Sequence, residues 1–263
     1  MLTPEEKEKA LLRLLKSYTN LAVAYSGGVD STYLADCAHE ALGEQANIII
    51  ADSPSLPRSE LAEAVELAKK RYWNLHIIYP KEYKNPAYLA NKGDRCFHCK
   101  DALFNQMKHY MKQHPNTILA FGAIEDDKSD IRLGTTAAAN HNAVAPLQEV
   151  NLFKSEIRQL SLNRELPTAE KASFACLGSR FPKGLPITLD KLSQVEKAED
   201  ILRTHGYKQY RVRHHNEICR IELEPDDFTK LINERELIIR EIKKTGYRYV
   251  TLDISGYSSG STT

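Results

Sequence analysis

The segment Ala22–Thr32, which reads AVAYSGGVDST, constrains the fold more than any other part of this chain. An apolar run with the character of a buried strand stops at two glycines, and helical spacing begins directly after them at Val29. Glycine adopts positive φ without steric cost, so the backbone can turn sharply here and approach a ligand closely. A strand, a tight glycine turn and a helix in this order predict the first unit of an α/β sheet.

The segments that follow repeat this alternation. Strands are predicted at residues 21–24, 46–51, 75–79 and 117–121, and helices at about 29–41, 59–72 and 100–112. Another helix is predicted at the N-terminus, because Thr3 and Pro4 are typical of an N-cap and a first helical turn. The alternation predicts an α/β fold, a parallel sheet with helices on both faces.

Gly184-Leu-Pro186 predicts a boundary between a domain of residues 1–185 and a smaller one of residues 186–263. The smaller domain is predicted to contain, in order, a helix at 190–205, strands at 209–214 and 218–223, a helix at 227–244 and a strand at 247–254. A short turn joins the first two strands, so they should be neighbours and antiparallel. We expect a small α+β unit for substrate binding or oligomerisation.

Charge balance and apolar runs count against several classes of function. Lys and Arg number 36, and Asp and Glu 35, which leaves no general electrostatic reason to bind nucleic acid. No apolar run is long enough to cross a bilayer, and the N-terminal segment has acidic residues where a signal peptide has basic ones. These features predict a cytoplasmic protein. In a reducing compartment its five cysteines favour metal or redox chemistry over a disulfide framework.

The turn from Ser26 to Gly28 should lie at the carboxyl edge of the sheet, where parallel sheets bind ligands. The free N–H groups and dipole of the next helix would face it, and Ser31 and Thr32 add hydroxyl donors. This pattern predicts an anion site, and pyrophosphate fits it best. Asp30 beside a phosphate implies a bridging divalent cation. The simpler alternative is a glycine turn in which Asp30 and Ser31 only cap the helix.

Three cysteines are candidates for chemistry. Cys96 and Cys99 form a C-x-x-C pair, a spacing at which two thiolates chelate one metal ion or two irons of a cluster. Cys176 stands near Arg180, a cation able to activate a thiol. Four interpretations stay open: an iron–sulfur site on all three cysteines, a zinc site, Cys176 alone as a sulfur-bearing nucleophile, and structural cysteines.

The glycine turn resembles the loop of the PP-loop ATP pyrophosphatases, whose signature is S-G-G-x-D-S/T. The residues that match this signature are Ser26, Gly27, Gly28, Asp30, Ser31 and Thr32. The resemblance implies that ATP is cleaved between its α- and β-phosphates, with the loop around the β- and γ-phosphates. Asp52 and Ser53 after the second strand, and Gly122 after the fourth, would then flank the adenosine.

Motifs along nearly the whole chain extend the resemblance. They are, in order, RCFHCK (95–100), D-x-R-x-G (130–134), APL (145–147), KSEIR (154–158), CLGSRFPKG (176–184), RVRHHN (211–216), RIEL (220–223) and GYRYVTLD (246–253). In this order they are similar to those of the LarE-type sulfur transferases of nickel-pincer nucleotide biosynthesis. The resemblance implies that ATP adenylates a carboxylate of pyridinium-3,5-biscarboxylic acid mononucleotide, with Mg²⁺ neutralising charge on the triphosphate. Sulfur would then displace AMP to give a thiocarboxylate.

The source of sulfur divides this family. Some members sacrifice one protein cysteine and leave dehydroalanine, whereas others hold a 4Fe–4S cluster on three cysteines. Cys96, Cys99 and Cys176 match the second type, so the resemblance implies delivery by a cluster, and sacrifice of Cys176 stays the alternative. Family members often form homo-oligomers, and transient contacts with other proteins of nickel-pincer biosynthesis are expected.

Two arginines of the C-terminal domain suit the phosphate of a mononucleotide substrate. Arg211 and Arg213 alternate on one face of a predicted strand, and a guanidinium binds phosphate with two parallel hydrogen bonds. Arg180 is a further candidate for this anion. The simpler alternative for the two strand residues is a pair of solvent-facing charges.

The remaining candidates are acidic or catalytic. Glu199 and Glu222 would coordinate a cation or orient the arginines, and the simpler alternative for each is a surface or salt-bridged acid. The predicted catalytic set is Cys176, Asp30 and Arg180.

Three other functions compete with this interpretation. A tRNA thiolase of the PP-loop class would use similar sulfur chemistry on an RNA base, but the near-neutral charge and the small C-terminal unit count against it. An amide-forming enzyme that uses ammonia would not need the C-x-x-C pair. A nucleotide-binding regulator would bind ATP without releasing pyrophosphate.

Overall fold

The computed structural model describes residues 2–129, 133–172 and 175–258, except for the side chains of residues 129 and 133–135. The helices are α1 (Pro4–Lys16), α2 (Val29–Leu42), α3 (Arg58–Lys70), α4 (Pro86–Ala90), α5 (Arg95–Met111), α6 (Leu133–Asn140), α7 (Pro146–Glu149), α8 (Lys154–Asn163), α9 (Leu189–Thr204) and α10 (Phe228–Lys244). The strands are β1 (Asn20–Tyr25), β2 (Ala46–Ala51), β3 (Asn74–Ile78), β4 (Thr117–Phe121), β5 (Tyr210–His215), β6 (Ile218–Leu223) and β7 (Tyr249–Leu252). Among the described helices, none is long and apolar enough to cross a membrane.

The chain divides into two compact units. The first comprises Met1–Glu82 and Cys96–Phe174, and the second comprises Tyr83–Arg95 and Ala175–Thr263. Residues 83–95 therefore belong to the same unit as the C-terminal part of the chain. The boundary predicted after residue 185 stays a prediction.

The first unit is built on a sheet of four parallel strands in the order β3-β2-β1-β4. β1 pairs with β2 on one side and with β4 on the other, so the strand order reverses next to β1. Open parallel sheets bind ligands at such a reversal, beyond the carboxyl ends of the strands. The predicted parallel α/β sheet is confirmed.

Helices cover both faces of this sheet. Leu21 and Val23 of β1 are fully buried in a core that also contains Leu11 of α1. Ala22, between them, belongs to a second core with Phe104 of α5. Side chains alternate between the two faces of a strand, so β1 is buried on both sides and the glycine turn that follows it is firmly placed.

The second unit contains a three-stranded sheet in the order β5-β6-β7. β5 and β6 are antiparallel, as predicted, whereas β7 pairs with β6 in the parallel direction, so the sheet is mixed. Their register places Arg211 opposite Glu222 and Arg213 opposite Arg220. Charged residues are thereby collected on one face of β5 and β6.

Helix α5 begins earlier than predicted. The C-x-x-C pair was expected just before a helix, and this was wrong, because α5 starts at Arg95 and carries Cys96 and Cys99 in its first turns. Gly93 and Asp94 directly precede it, and aspartate is favoured immediately before a helix. Residues three apart in an α-helix share one face, so both cysteines lie on the same side of α5.

A single arginine connects helices of the first unit. Arg164, directly after α8, forms ion pairs with Glu8 of α1 at 2.6 Å and with Asp36 of α2 at 3.0 Å. It also pairs with Glu40 of α2 at 2.7 Å. Glu8 and Asp36 are mostly buried, so loss of the arginine would leave the Glu8 carboxylate without its ion-pair partner and Asp36 with only the longer contact to Arg71 at 3.8 Å.

We predict that Arg164→Met lowers the free energy of unfolding of the first unit by about 2 kcal/mol, because it removes the ion-pair partner of Glu8 and the shorter of the two ion pairs of Asp36. Urea unfolding followed by fluorescence of Trp73, the single tryptophan and a buried residue of this unit, measures the change. Lys70→Met is the control, since Lys70 pairs with Glu66 on the surface, where such pairs contribute less than about 1 kcal/mol. Equal losses in the two variants would contradict the prediction.

Candidate functional site

The glycine turn, Ser26–Gly28, joins β1 to α2 at the carboxyl edge of the first sheet. Gly27 has φ +74°, and a Cβ built on it would lie 3.1 Å from the Cβ of Ala64 on α3. Both the backbone conformation and the lack of space therefore require glycine here. Gly28 is the N-cap of α2, so no capping side chain occupies the N–H groups of the first turn. These groups and the helix dipole favour an anion at the turn.

The three hydroxyl residues of the loop signature, Ser26, Ser31 and Thr32, take two different positions. The hydroxyl oxygens of Ser26 and Ser31 lie 3.0 Å apart, and the Ser31 hydroxyl also donates to the carbonyl of Gly28 at 3.2 Å. Thr32 is fully buried. Burial raises the pKa of the Tyr25 phenol to about 12, and the neighbouring Thr32 hydroxyl opposes that shift. The two serines therefore face the turn, whereas Thr32 lies against the core.

The end of β4 completes a cleft of about 410 Å³ in the first unit. A Cβ built on Gly122 would lie 3.0 Å from the backbone nitrogen of Ser31, so only glycine allows this approach. The cleft is lined by Ser26, Gly28, Asp30 and Ser31, by Phe121, Gly122 and Asp127, and by Lys100, Leu103 and Phe104 of α5. The predicted residues Asp52 and Ser53 are not part of this lining among the described residues. Residues 130 and 132 of the D-x-R-x-G motif lie outside the described residues.

Asp30 is held by a lysine to which the sequence interpretation gave no role. The Lys154 ammonium lies 2.8 Å from both carboxylate oxygens of Asp30. Burial raises the pKa of Asp30, and Lys154 opposes the shift. Lys154 is the first residue of α8 and of the KSEIR motif, so the motif was the signal that could have identified it.

A second cation reaches the same cleft from α5. The Lys100 ammonium lies 5.6 Å from the centre of the Phe121 ring, within the cleft lining. Lys100 follows Cys99 directly, so one helix carries the C-x-x-C pair in its first turns and part of the cleft wall in the next. The RCFHCK motif had been noted, but its lysine had been given no role.

Asp52 and Ser53 follow β2 at the same sheet edge, but their side chains are engaged by the protein. The Asp52 carboxylate pairs with Arg58, the first residue of α3. The buried Ser53 hydroxyl donates to the carboxylate of Glu82 and lies 2.8 Å from the hydroxyl of Ser55. The predicted contacts of Asp52 and Ser53 with adenosine stay a prediction.

In the second unit, Arg180 is fully buried beside the cysteine turn. Its Nε and Nη2 atoms donate to the two carboxylate oxygens of Glu199 at 2.7 and 3.1 Å. Its Nη1 atom donates to the carbonyls of Ala175 at 2.7 Å and Cys176 at 3.3 Å. Glu199 also accepts from the backbone N–H of Val212 at 3.0 Å. This pair ties the segment around Cys176 to α9 and β5.

Arg211 and Arg213 lie on one face of β5. Arg213 pairs with Glu222 at 2.8 Å, and the other oxygen of Glu222 accepts from Arg220 at 3.1 Å. Burial lowers the pKa of Arg211, and the nearby guanidinium of Arg180 lowers it further. Both strand arginines are buried, which excludes the alternative of solvent-facing charges. The structure thus collects the predicted arginines in one unit and pairs two of them with the predicted glutamates.

The three predicted metal ligands belong to different units. Cys96 is exposed and Cys99 half-buried in the first unit, whereas Cys176 is half-buried in the second. Among the described residues, no three His, Cys, Asp or Glu side chains come together as a metal site. The two thiols of α5 suit a pair of cluster ligands in their chemistry and spacing. The three-cysteine site stays a prediction.

Comparison with known proteins finds relatives along nearly the whole chain, although no family model matches it. An uncharacterized protein of Synechocystis sp. is 37% identical over 258 residues, which are 97% of this chain and 96% of that protein. The pyridinium-3,5-bisthiocarboxylic acid mononucleotide synthase of Lactiplantibacillus plantarum is 30% identical over 261 residues, which are 99% of this chain and 95% of that protein. An uncharacterized protein of Methanocaldococcus jannaschii is 30% identical over 241 residues, 91% of each chain.

We predict that Gly27→Ala weakens the binding of inorganic pyrophosphate by about tenfold, because the turn must shift to relieve the backbone strain and the contact with Ala64. Calorimetric titration measures the affinity. Gly43→Ala is the control at the other end of α2, since Gly43 also has positive φ but has no atom within 4 Å of a built Cβ. Unchanged affinity in Gly27→Ala, or equal losses in both variants, would disprove the assignment of the turn.

Proposed function

The chain belongs to the LarE-type family of the pyridinium-3,5-bisthiocarboxylic acid mononucleotide synthase, and from this premise we propose that it is an ATP-dependent sulfur transferase. Its substrate would be pyridinium-3,5-biscarboxylic acid mononucleotide, and its product a thiocarboxylate. The observation that carries the proposal is the glycine turn at a cleft lined by Asp30, Ser31 and Lys100. An anion site at the end of β1 is what the triphosphate of ATP requires.

The first step activates a carboxylate. A carboxylate is a poor electrophile because both oxygens share its negative charge, so replacing an oxygen requires a better leaving group. One carboxylate oxygen of the substrate attacks the α-phosphorus of ATP, the bond from this phosphorus to the bridging oxygen breaks, and pyrophosphate leaves. The residues proposed to hold the β- and γ-phosphates are Ser26, Gly27, Gly28 and Ser31, while Thr32, which lies against the core, would support the turn from behind.

Asp30 and Lys154 would supply charge for this step. The Lys154 side chain is partly exposed, so its ammonium can turn from Asp30 to a phosphate oxygen. The Asp30 carboxylate is an oxygen donor of the kind that Mg²⁺ prefers, and it would then be available to the cation. Mg²⁺, when bound, would neutralise charge on the triphosphate. Asp52, Ser53 and Gly122 are the proposed neighbours of the adenosine.

The arginines of the second unit are proposed to bind the mononucleotide. Arg211 lies in a buried, positively charged environment that suits the phosphate of the substrate, and Arg213 is buried on the same strand face. Glu199 and Glu222 would hold Arg180 and Arg213 in place, so little reorganisation is needed when the substrate enters. The catalytic role proposed for Arg180 is to stabilise the charge that develops as AMP leaves.

In the second step sulfur replaces AMP. A sulfur nucleophile attacks the carbonyl carbon of the acyl adenylate, the carbon–oxygen bond to AMP breaks, and AMP leaves with the electron pair. A 4Fe–4S cluster on Cys96, Cys99 and Cys176 is the proposed source and, when bound, would supply sulfide. In the alternative, the Cys176 thiolate attacks, and its Cβ–Sγ bond then breaks with loss of the α-proton, which leaves dehydroalanine.

The setting of the reaction is also a proposal. The resemblance of the motifs supports a homo-oligomer that works in the cytoplasm and contacts other proteins of nickel-pincer biosynthesis transiently. The near-neutral charge supports a small-molecule substrate rather than a nucleic acid.

We predict that the protein releases pyrophosphate from ATP only when pyridinium-3,5-biscarboxylic acid mononucleotide is present, because the substrate supplies the attacking oxygen. Lys154→Met should slow the release about 100-fold, since it removes a cation from the triphosphate site. The control is Lys108→Met, which removes an exposed lysine of α5. A coupled pyrophosphate assay measures the rate. Release of inorganic phosphate and ADP instead, or no substrate dependence, would rule out the adenylation step.

We predict that anaerobically reconstituted protein contains iron and sulfide with visible absorption, and that Cys176→Ala loses both because a ligand is missing. Cys37→Ala, which removes a buried cysteine of α2, should keep them. Chemical analysis measures the iron and sulfide content, and mass spectrometry of the intact protein measures any loss of mass after turnover. A protein without a cluster whose mass falls by one H₂S after turnover would instead establish Cys176 as a sacrificial donor.

A further inference from the structure

Glu82 is a buried carboxyl group that the proposed reaction does not use. It is 1% exposed and follows β3, and its Oε1 atom accepts a hydrogen bond from the Ser53 hydroxyl. Its Oε2 atom is buried and has no hydrogen-bond partner among the described residues. Burial raises the pKa of Glu82, and the hydrogen bond from Ser53 only partly offsets this shift. A buried carboxyl oxygen without a hydrogen-bond partner lowers the stability of the folded protein, so its presence suggests that Glu82 has a functional role.

The loop of residues 52–57, which follows β2, is held from two sides. On one side the Ser53 hydroxyl donates to Glu82 and accepts from the N–H of Ser55 at 3.1 Å. On the other side Arg58 donates to the carbonyl of Ser53 at 2.6 Å. The Ser53 hydroxyl is thus bonded to Glu82 and Ser55 and would have to break a buried hydrogen bond to reach a ligand.

Helix α3 connects this loop to the glycine turn. Arg58 is the first residue of α3, and Ala64 of the same helix lies 3.1 Å from a Cβ built on Gly27. The hydroxyl of Tyr25, the last residue of β1, donates to the carbonyl of Ala64 at 3.4 Å. In the sheet Tyr25 pairs with Ile50, so the turn after β1 and the loop after β2 leave neighbouring strands side by side. A displaced loop would therefore move α3 and, through it, the glycine turn.

We propose that Glu82 is a positioning residue of the nucleotide cleft, which acts through Ser53 and α3 on the glycine turn without touching ATP. The proposal rests on the proposed function, because it assumes that the cleft binds ATP. It also changes the role of Ser53, because the hydroxyl of this residue stabilises the loop and any contact of Ser53 with adenosine is then made by its backbone.

A double-mutant cycle on the binding of a non-hydrolysable ATP analogue tests this. Glu82→Ala and Ser53→Ala should each weaken binding about tenfold, and the double variant should be no weaker than either, because both break one contact. Glu82→Gln keeps an acceptor oxygen and should bind within about threefold of the wild type. In turnover assays Glu82→Ala should raise the KM for ATP and leave kcat at saturating ATP unchanged. A general loss of structure would lower kcat as well.

The matched control is Glu66→Gln, which changes an exposed acid of α3 that pairs with Lys70. If Glu82→Ala does not fold, Glu82→Leu, which fills the same space, replaces it in the cycle. Additive losses, or a loss in Ser53→Ala with none at Glu82, would overturn the proposal, because Ser53 would then bind the nucleotide itself. Failure of the wild type to bind the analogue would overturn the proposed ATP site itself. This outcome is distinguishable from failure of the role of Glu82, because it is measured on the unsubstituted protein.

Discussion

Three segments approach the N-terminus of α2 closely, and their approach forms the cleft of the first unit. Gly27 leaves no room for a side chain beside Ala64, and Gly122 leaves none beside the backbone nitrogen of Ser31. Two glycines therefore let β1, α3 and the end of β4 converge on one helix terminus, and the cleft exists because they converge. The N–H groups and dipole of this terminus favour an anion before any charged side chain is considered.

Buried and half-buried ion pairs hold the charged side chains of both units. Such a pair adds little net stability, because desolvation opposes the Coulomb attraction, but it keeps each charge in a defined orientation. In the first unit Lys154 meets both oxygens of Asp30, and in the second unit Glu199 meets Arg180 with both of its oxygens. The Arg180–Glu199 pair is almost fully buried, so its charges are already desolvated and oriented and need little reorganisation when charge develops on a ligand.

Much of the fold followed from local pattern. β2 and β4 were predicted to the residue, because a buried parallel strand is a short continuous apolar run. The start of α5 was missed, since Cys96 and the two residues after it are indifferent helix formers that do not locate a helix end. The contacts of a side chain, such as that of Ser53, also could not be predicted from local pattern. Its place after β2 followed from the pattern, whereas its contact with Glu82 joins residues 29 positions apart.

The order of motifs along the chain indicated the family. Local patterns predicted the strands, the longer helices, the glycine turn and the types of residue available for chemistry, although α4, α6, α7 and α8 were not predicted. These depend on periodicity, on the steric freedom of glycine and on side-chain composition, all of which are local. Which side chains meet was visible only after the chain had folded: Lys154 with Asp30, Lys100 with the cleft wall, and Glu82 with Ser53. The free energy of each such contact depends on burial and on partners from distant segments, which no local pattern encodes.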